Sequence, residues 1–409
     1  MRSLDGASTT SARLACRGGV PVRREPLPYG LHEVTEEDVQ AVADVLRSQW
    51  LTTGPLVEQF EQAVAAAVGA PEAVAVSSGT AALHAALFAA GVGLGDEVIV
   101  SPMSFCAASN AALYLGAVPV FVDVCDDTLN MDPDALRRAV TPRTKAIIPT
   151  DYAGHPAALD ELCAIAEPHG AVVVEDACHA LGAVFNGRPV GSLAQMTVFS
   201  FHPVKHITTG EGGMVTTQDP RLAQRVRRFR THGINYEPAA HADVGPWYYE
   251  MTELGYNYRI SDINCALGRS QLDRLDSILA RRRDIVKEYA RAFAGLPQIR
   301  VPEERIGARS AWHLYPIRLN LARLRVGRRD VVEALRAEGI FVQVHYIPVH
   351  YHPYYERRFG RARGRFPVAE AAYEQLISLP LYPAMTDADA ADVVEAVTKV
   401  LNAYRRERA

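Results

Sequence analysis

Between residues 73 and 176, short apolar runs alternate with helical stretches, and the runs show no internal alternation of apolar and polar residues. The expected strands are 73–76, 97–101, 118–123, 146–149 and 171–175, with helices over 80–90, 105–115, 134–140 and 158–169 between them. A strand that is apolar throughout is buried on both faces. Consecutive strands of that kind, joined by helices, form a parallel sheet covered on both sides. Ahead of this region Val34, Val39, Val42, Val45 and Leu46 fall at helical spacing, and Thr35 precedes Glu36, Glu37 and Asp38 as an N-cap. A second helix is expected from about 55 to 68.

Beyond Asp262 the order changes. An amphipathic helix over 263–293 leads to a strand at 312–319, a helix at 329–337, a strand at 341–345 and a closing helix near 387–405. The expected organisation is a loosely ordered arm over residues 1–25, a large α/β domain over 26–274 and a smaller α+β domain over 275–409. A hydrophobic share of 48% with 22% charged residues is enough for cores of that size. The net charge of −4 argues against nucleic acid as a partner. Cys16, Cys106, Cys125, Cys163, Cys178 and Cys265 are scattered without metal-ligand spacing. His202, His206 and His232 are equally irregular, so no metal is expected. The chain shows no basic-then-apolar leader and no apolar run of bilayer length, so a soluble cytoplasmic protein without membrane partners is expected. A G-x-x-x-x-G-K-[ST] loop is absent, as is a G-x-G-x-x-G opening the first βαβ unit.

The chemistry concentrates in residues 196–217. An apolar run ending at Phe201 leads to Lys205, then to Thr208, Thr209, Gly210, Glu211, Gly212 and Gly213, and then to a second β-rich run. A lysine walled by glycines between two core strands is placed to be held against a bound cofactor. A partly desolvated amine can carry a carbonyl as a Schiff base, which points to pyridoxal 5'-phosphate (PLP). Three further segments converge with it, because ligands of such sheets sit beyond the carboxyl ends of the strands. Asp176 ends a fully apolar strand and can hold a pyridine nitrogen protonated. Ser78, Gly79 and Thr80 open a helix whose free N–H groups suit a phosphate, and Ser200 adds a hydroxyl. Phe105, just past another strand end, can stack on a ring. Taken singly, each has an ordinary explanation as a cap, a turn or a core residue. Together they account for an aldehyde, a ring nitrogen, a ring face and a phosphate.

The segments WLTTGP (50–55), SSGTAALHAAL (77–87), EDACHALGA (175–183), FSFHPVKHITTGEGG (199–213), THGI (231–234), LGYNYRISDINCALG (254–268) and VQVHYIPVHYHPYY (342–355) resemble those of the DegT/StrS-type sugar aminotransferases, a fold-type I PLP family. The resemblance runs from about residue 27 to 404. It implies a mostly parallel central sheet in the large domain and a smaller α+β C-terminal domain. It implies Lys205 as the Schiff-base lysine and acid/base, Asp176 on the pyridinium nitrogen, and His179 by the ring hydroxyl, where many relatives carry glutamine. Ser78, Gly79, Thr80 and Ser200 are implied at the phosphate and Phe105 on the ring. Asn257 is implied to reach the phosphate of a neighbouring subunit, hence a homodimer with shared active sites. Thr53, Arg259, His345, Tyr346 and His350 are candidates for the substrate side; an ordinary strand-end histidine is an equal reading of His345.

Within that family, SFHPVKxITTGEGG with VHYIPVHxxPYY is similar to aminotransferases of the pseudaminic acid pathway. The implied reaction moves an amino group from L-glutamate, or from L-glutamine, to a UDP-linked 4-keto-6-deoxy-N-acetylhexosamine. The segment RGGVPVRREPLPYG (17–30) is also similar to amino-cyclitol aminotransferases, which leaves amino-cyclitols and dTDP-linked 3- or 4-keto sugars open. Sugar dehydratases of this type replace the lysine by histidine, and Lys205 is present here. A catalytically idle PLP-binding sensor is the alternative from another class.

Overall fold

The computed structural model describes residues 13–235 and 244–406. At its centre is a seven-stranded sheet. Its strands are β1 (Glu72–Val76), β2 (Glu97–Val100), β3 (Val118–Phe121), β4 (Thr144–Ile148), β5 (Val172–Asp176), β6 (Met196–Ser200) and β7 (Gly213–Thr217). The order across the sheet is β1-β7-β6-β5-β4-β2-β3. Strands β2 to β6 pair in parallel, whereas β7 runs antiparallel between β6 and β1. Val98, Ile99 and Val100 are wholly buried, as their unbroken apolar run requires. The helix Gly79–Ala89 presents alanines (Ala81, Ala82, Ala85, Ala86) on nearly every side. It therefore lies close against the sheet and packs against the helices Ala107–Tyr114 and Pro220–Phe229.

The second core is smaller. Ile299–Arg300, Tyr315–Leu319 and Leu376–Leu379 form an antiparallel sheet with the middle strand at 315–319. The helices Leu275–Phe293, Arg328–Ala337 and Asp387–Ala403 cover it through Tyr289, Val331, Leu335, Val393 and Val397. Asp123, just beyond β3, accepts from the backbone N–H groups of Val368 (2.9 Å) and Ala369 (2.9 Å), so it caps the helix Pro367–Gln375 and joins the two layers.

Four sequence expectations are corrected. The helix expected over 263–293 is two helices, Asp262–Leu272 and Leu275–Phe293, broken at Asp273 and Arg274. Arg274 turns away to donate to the fully buried Asp38 at 2.8 Å. The strand expected at 341–345 does not form; one bridge pairs Gln343 with Ser378, and Leu376–Leu379 is the strand of that region instead. The domain limit at 275 coincides with the start of a helix that both cores share: Leu275, Ile278 and Leu279 pack in the large core, whereas Ile285, Val286, Tyr289 and Phe293 pack in the small one. Of the arm expected over 1–25, residues 1–12 lie outside the described residues, and residues 13–25 are tied down. Leu14 and Leu27 belong to the small core, so that domain is built from two separate parts of the chain.

The tie is a buried carboxylate. Glu338 is fully buried and accepts from the N–H groups of Ala15 (2.8 Å) and Val22 (3.1 Å) and from Lys399 Nζ (2.8 Å). Arg23 adds ion pairs to Asp389 (2.6 Å) and Asp392 (2.7 Å). Glu338→Ala removes the carboxylate that pairs with the Lys399 ammonium and satisfies two N–H donors, a loss of about 3 kcal/mol. The expected result is a lower urea midpoint and faster tryptic cleavage after Arg17, Arg23 and Arg24; an unchanged cleavage rate would show that the clamp does not hold the segment.

Candidate active site

Three strand ends meet at one cavity of about 460 Å³. At the first, β1 runs through Ser77 into the helix Gly79–Ala89, where Ser78 Oγ accepts from the Ala81 N–H at 3.1 Å. That leaves the first N–H groups of the helix aimed outward. Gly79 has no room for a side chain, since a Cβ there would lie 2.9 Å from Ser200 Cβ. At the second, β6 ends at Ser200 and the chain turns so that the Lys205 N–H donates to His202 O at 2.9 Å. Thr208 Oγ1 donates to Phe201 O (2.9 Å) and Asn264 Nδ2 to Thr209 O (2.6 Å), which fixes the loop carrying the lysine. At the third, β5 ends at Asp176, paired in register with Val198 of the neighbouring β6.

Ser78, Gly79, Thr80, Phe105, Asp176, His179, Ser200, Lys205, His345 and Tyr346 all line this cavity. Tyr29, Thr150, Cys178, His202, Val204, Glu211 and His313 line it too and were not singled out from sequence. His313 follows Trp312 in a polar-tipped apolar run, and Tyr29 lies in a segment read only as family likeness. Their signal was the distant pairing that brings them here: the carbonyls of Trp312 and His313 accept from the buried guanidinium of Arg282 at 3.2 and 3.3 Å. Tyr152 Oη donates to His345 O at 2.5 Å and fixes the other wall.

Burial shifts most of the titratable groups that line the cavity. Burial lowers the Lys205 pKa, with Cys178 and Asp176 acting in the opposite sense. Burial raises the Asp176 carboxyl, while Cys178 donors and the Lys205 charge pull it back. His179, His206 and His313 are held well below the usual imidazole range, by burial first and by the neighbouring Lys205 among other positive groups. Burial also brings His345 down to about 4. His179 Nε2 lies 3.0 Å from Tyr346 Oη, and its Nδ1 is buried without a partner. The His179 and His313 rings stand 4.4 Å apart.

Other candidates lie elsewhere in this chain. His350 is not at the cavity: it is 2% exposed, 3.2 Å from Glu370 Oε1, and packed against Phe366 and Phe121. The substrate contact expected of it is therefore corrected; the ring sits against Glu370, whose carboxylate accepts from the Gly364 and Phe366 N–H groups. Thr53 is exposed and its hydroxyl donates to Thr52 O at 2.7 Å. Asn257 is exposed and pairs through its backbone with Thr231, and Arg259 is half-buried; neither lines the cavity. Among the described residues no group of three or more His, Cys, Asp or Glu side chains could hold a metal ion.

The residues fit a flat heteroaromatic aldehyde that carries a phosphate. A carboxylate and an amine stand on adjacent strand ends. A helix N-terminus with three hydroxyls lies beside them, made accessible by the missing Cβ of Gly79. The orphaned Nδ1 of His179 offers one further polar contact.

The family model described as the DegT/DnrJ/EryC1/StrS aminotransferase family matches residues 32–398. SpsC of Bacillus subtilis (strain 168), described as a spore coat polysaccharide biosynthesis protein, is 44% identical over 384 residues, covering 93% of this chain and 99% of its own. The structure of Spr1654 from Streptococcus pneumoniae in its PLP form superposes with a TM-score of 0.86 at 34% identity, covering 92% of this chain and 99% of that one. PseC of Helicobacter pylori, an aminotransferase involved in the biosynthesis of pseudoaminic acid, superposes with a TM-score of 0.87 at 31% identity, covering 93% and 100%. The architecture is that of a fold-type I aminotransferase.

The buried histidines predict acid lability. Unfolded imidazoles take up protons below pH about 6.5 and the folded ones do not, so unfolding consumes protons and stability falls as pH falls from there. Each contributes up to about 1.4 kcal/mol per pH unit. Chemical denaturation from pH 7 to 4.5 should show a shallower decline for His313→Gln than for the wild-type chain; parallel curves would mean His313 is charged when folded.

Proposed function

The chain belongs to the DegT/DnrJ/EryC1/StrS aminotransferase family, a PLP-dependent sugar aminotransferase, and from that premise we propose that it moves an amino group from L-glutamate to the keto group of a nucleotide-linked keto-deoxy sugar. The carrying observation is Lys205 and Asp176 together at the ends of hydrogen-bonded strands in one cavity. The proposed acceptor is a UDP-linked 4-keto-6-deoxy-N-acetylhexosamine. The likeness to PseC, whose own role is in pseudoaminic acid biosynthesis, supports that choice.

When bound, PLP supplies a carbonyl that exchanges oxygen for nitrogen and a ring that accepts the electron pair freed at the substrate carbon. In this reading Ser78, Thr80, Ser200 and the first N–H groups of the helix Gly79–Ala89 bind its phosphate. Asp176 holds the ring nitrogen protonated, and His179, steadied by Tyr346 Oη, donates or accepts at the ring oxygen. The Lys205 amine, which burial moves toward its neutral form, takes the proton from the α-carbon of glutamate and returns it on the other side of the exchange. The reverse sequence on the keto sugar regenerates the starting form, so the atoms balance as glutamate plus ketone giving 2-oxoglutarate plus amine. Phe105, 62% exposed in the cavity lining, offers its face to the ring.

The proposed assembly is a homodimer. Asn257 is exposed and does not line its own chain's cavity, and Trp50, Leu51, Met251 and Leu254 are large apolar side chains left exposed. Asn257 then serves the phosphate of the opposite subunit. No helix among the described residues is long and apolar enough to cross a membrane.

Two experiments test this reading. Addition of L-glutamate to the purified enzyme should shift the visible cofactor band and release 2-oxoglutarate, and the keto sugar should restore the band; Lys205→Ala should do neither. Turnover retained by Lys205→Ala would remove its assigned role. For the shared site, refolding inactive Lys205→Ala together with inactive Asn257→Ala should restore about a quarter of wild-type activity, because half of the dimers are mixed and each has one intact site. No recovery in verified mixed dimers would place Asn257 in its own subunit's site, and an active Asn257→Ala would place it outside both.

A further inference from the structure

Behind Asp176 lies a second pair of carboxyls that the reaction does not use. Glu175, one residue earlier on β5, points to the opposite face of the sheet and is wholly buried. Its Oε2 accepts from Thr197 Oγ1 at 2.7 Å, and its Oε1 has no partner. Asp151, past the end of β4, is also wholly buried. Its Oδ1 accepts from the Ala157 N–H at 2.8 Å, and its Oδ2 has no partner. Thr150 bridges Asp176 in parallel, so Asp151 and Glu175 lie diagonally across neighbouring chain segments, and each carboxyl alters the other's hold on a proton. Two acceptor-only oxygens cannot bond each other, and two bare carboxylates in a dry interior would repel strongly.

We infer that Asp151 and Glu175 share one proton, and that this singly charged pair is a positioning device for Asp176. The pair is tied directly to that residue: the Asp151 N–H donates to Asp176 O at 3.1 Å, and the Asp176 N–H to Pro149 O at 2.8 Å. The shared proton closes a bond between β4 and β5 at the point where Asp176 emerges. It also limits the charge behind Asp176 to one unit, which favours a positive ring nitrogen in front without driving the three acids apart.

The groups facing the pair agree with this. Asp176 adjoins it along β5 with its side chain on the other face, Cys163 lies near it on the helix Leu159–Ala166, and Cys178 in the turn beyond β5. Burial raises both carboxyls of the pair, and Asp176 raises them further. A native protein that holds this extra proton loses stability as pH rises through the pair's own range, the reverse of the histidine effect.

The inference rests on Asp176 facing the cofactor ring, but its primary readout does not depend on turnover or on the sugar. Infrared spectra of the full-length holoenzyme at pH 6 should show a buried protonated-carboxyl stretch that shifts in D2O. Glu175→Gln and Asp151→Asn should each lose it while staying folded, because an amide donates the same bond. The visible titration of the bound cofactor should stay in place in each single variant, which keeps one charge. In the double variant Asp151→Asn/Glu175→Gln it should move to lower pH by about half a unit or more. A protonated-carboxyl band untouched by either single change, or a double variant that titrates like the wild type, would overturn the inference. Should the double variant fail to fold, the band in the wild-type protein and in either single variant still decides.

Discussion

The structure depends on bringing a half-buried amine and a buried carboxylate together beyond the carboxyl ends of two neighbouring parallel strands. Burial pushes Lys205 and Asp176 toward their neutral forms, and each supplies part of the charge the other lacks. Such a pair survives only if the surrounding backbone is already satisfied, since unpaired N–H or C=O groups beside it would add their own desolvation cost. The register of β5 with β6, the Thr208 and Thr209 hydroxyl bonds and the Asn264 amide meet that condition. A lysine loop held this firmly cannot swing out to solvent, so its amine stays where a carbonyl must be met.

Much of the cavity wall does not belong to the sheet. His313, His345 and Tyr346 come from the later part of the chain, and Tyr29 from its beginning. They are carried in by buried anchors: Arg282, which donates to Trp312 O, His313 O and Leu381 O, and Tyr152, which donates to His345 O. Among the described residues Arg282 has no carboxylate partner, and burial lowers it to about 10. Its positive charge favours neutral His206 and His313. Neutral imidazoles beside Lys205 add no competing charge to the amine. The small layer thus completes the site and sets its polarity.

The same logic explains the clamp on the early chain. Residues 13–25 are polar and rich in arginine, which reads locally as an unstructured arm. A single carboxylate at 338 collects two of their N–H groups and a lysine from the closing helix. No periodicity within the segment carries that information, because the Glu338 carboxylate lies more than 300 residues away in sequence.

What could be read from the order of residues was whatever is locally encoded. Unbroken apolar runs specify buried strands. A serine, glycine and threonine after β1 specify a helix start that accepts an anion. A lone lysine among glycines after β6 and an acid at the end of β5 specify opposite charges at one sheet edge. Family likeness extended this reading to His179, Tyr346 and His345, which do meet at the cavity, and to His350, which does not. Only the folded chain decided the rest: the break at Asp273, the loss of the strand at 341–345, the arrival of Tyr29 and His313, and the meeting of Asp151 with Glu175. Each depends on contacts between distant segments, and side-chain burial there is set by the packing of whole layers rather than by the pattern of any one of them.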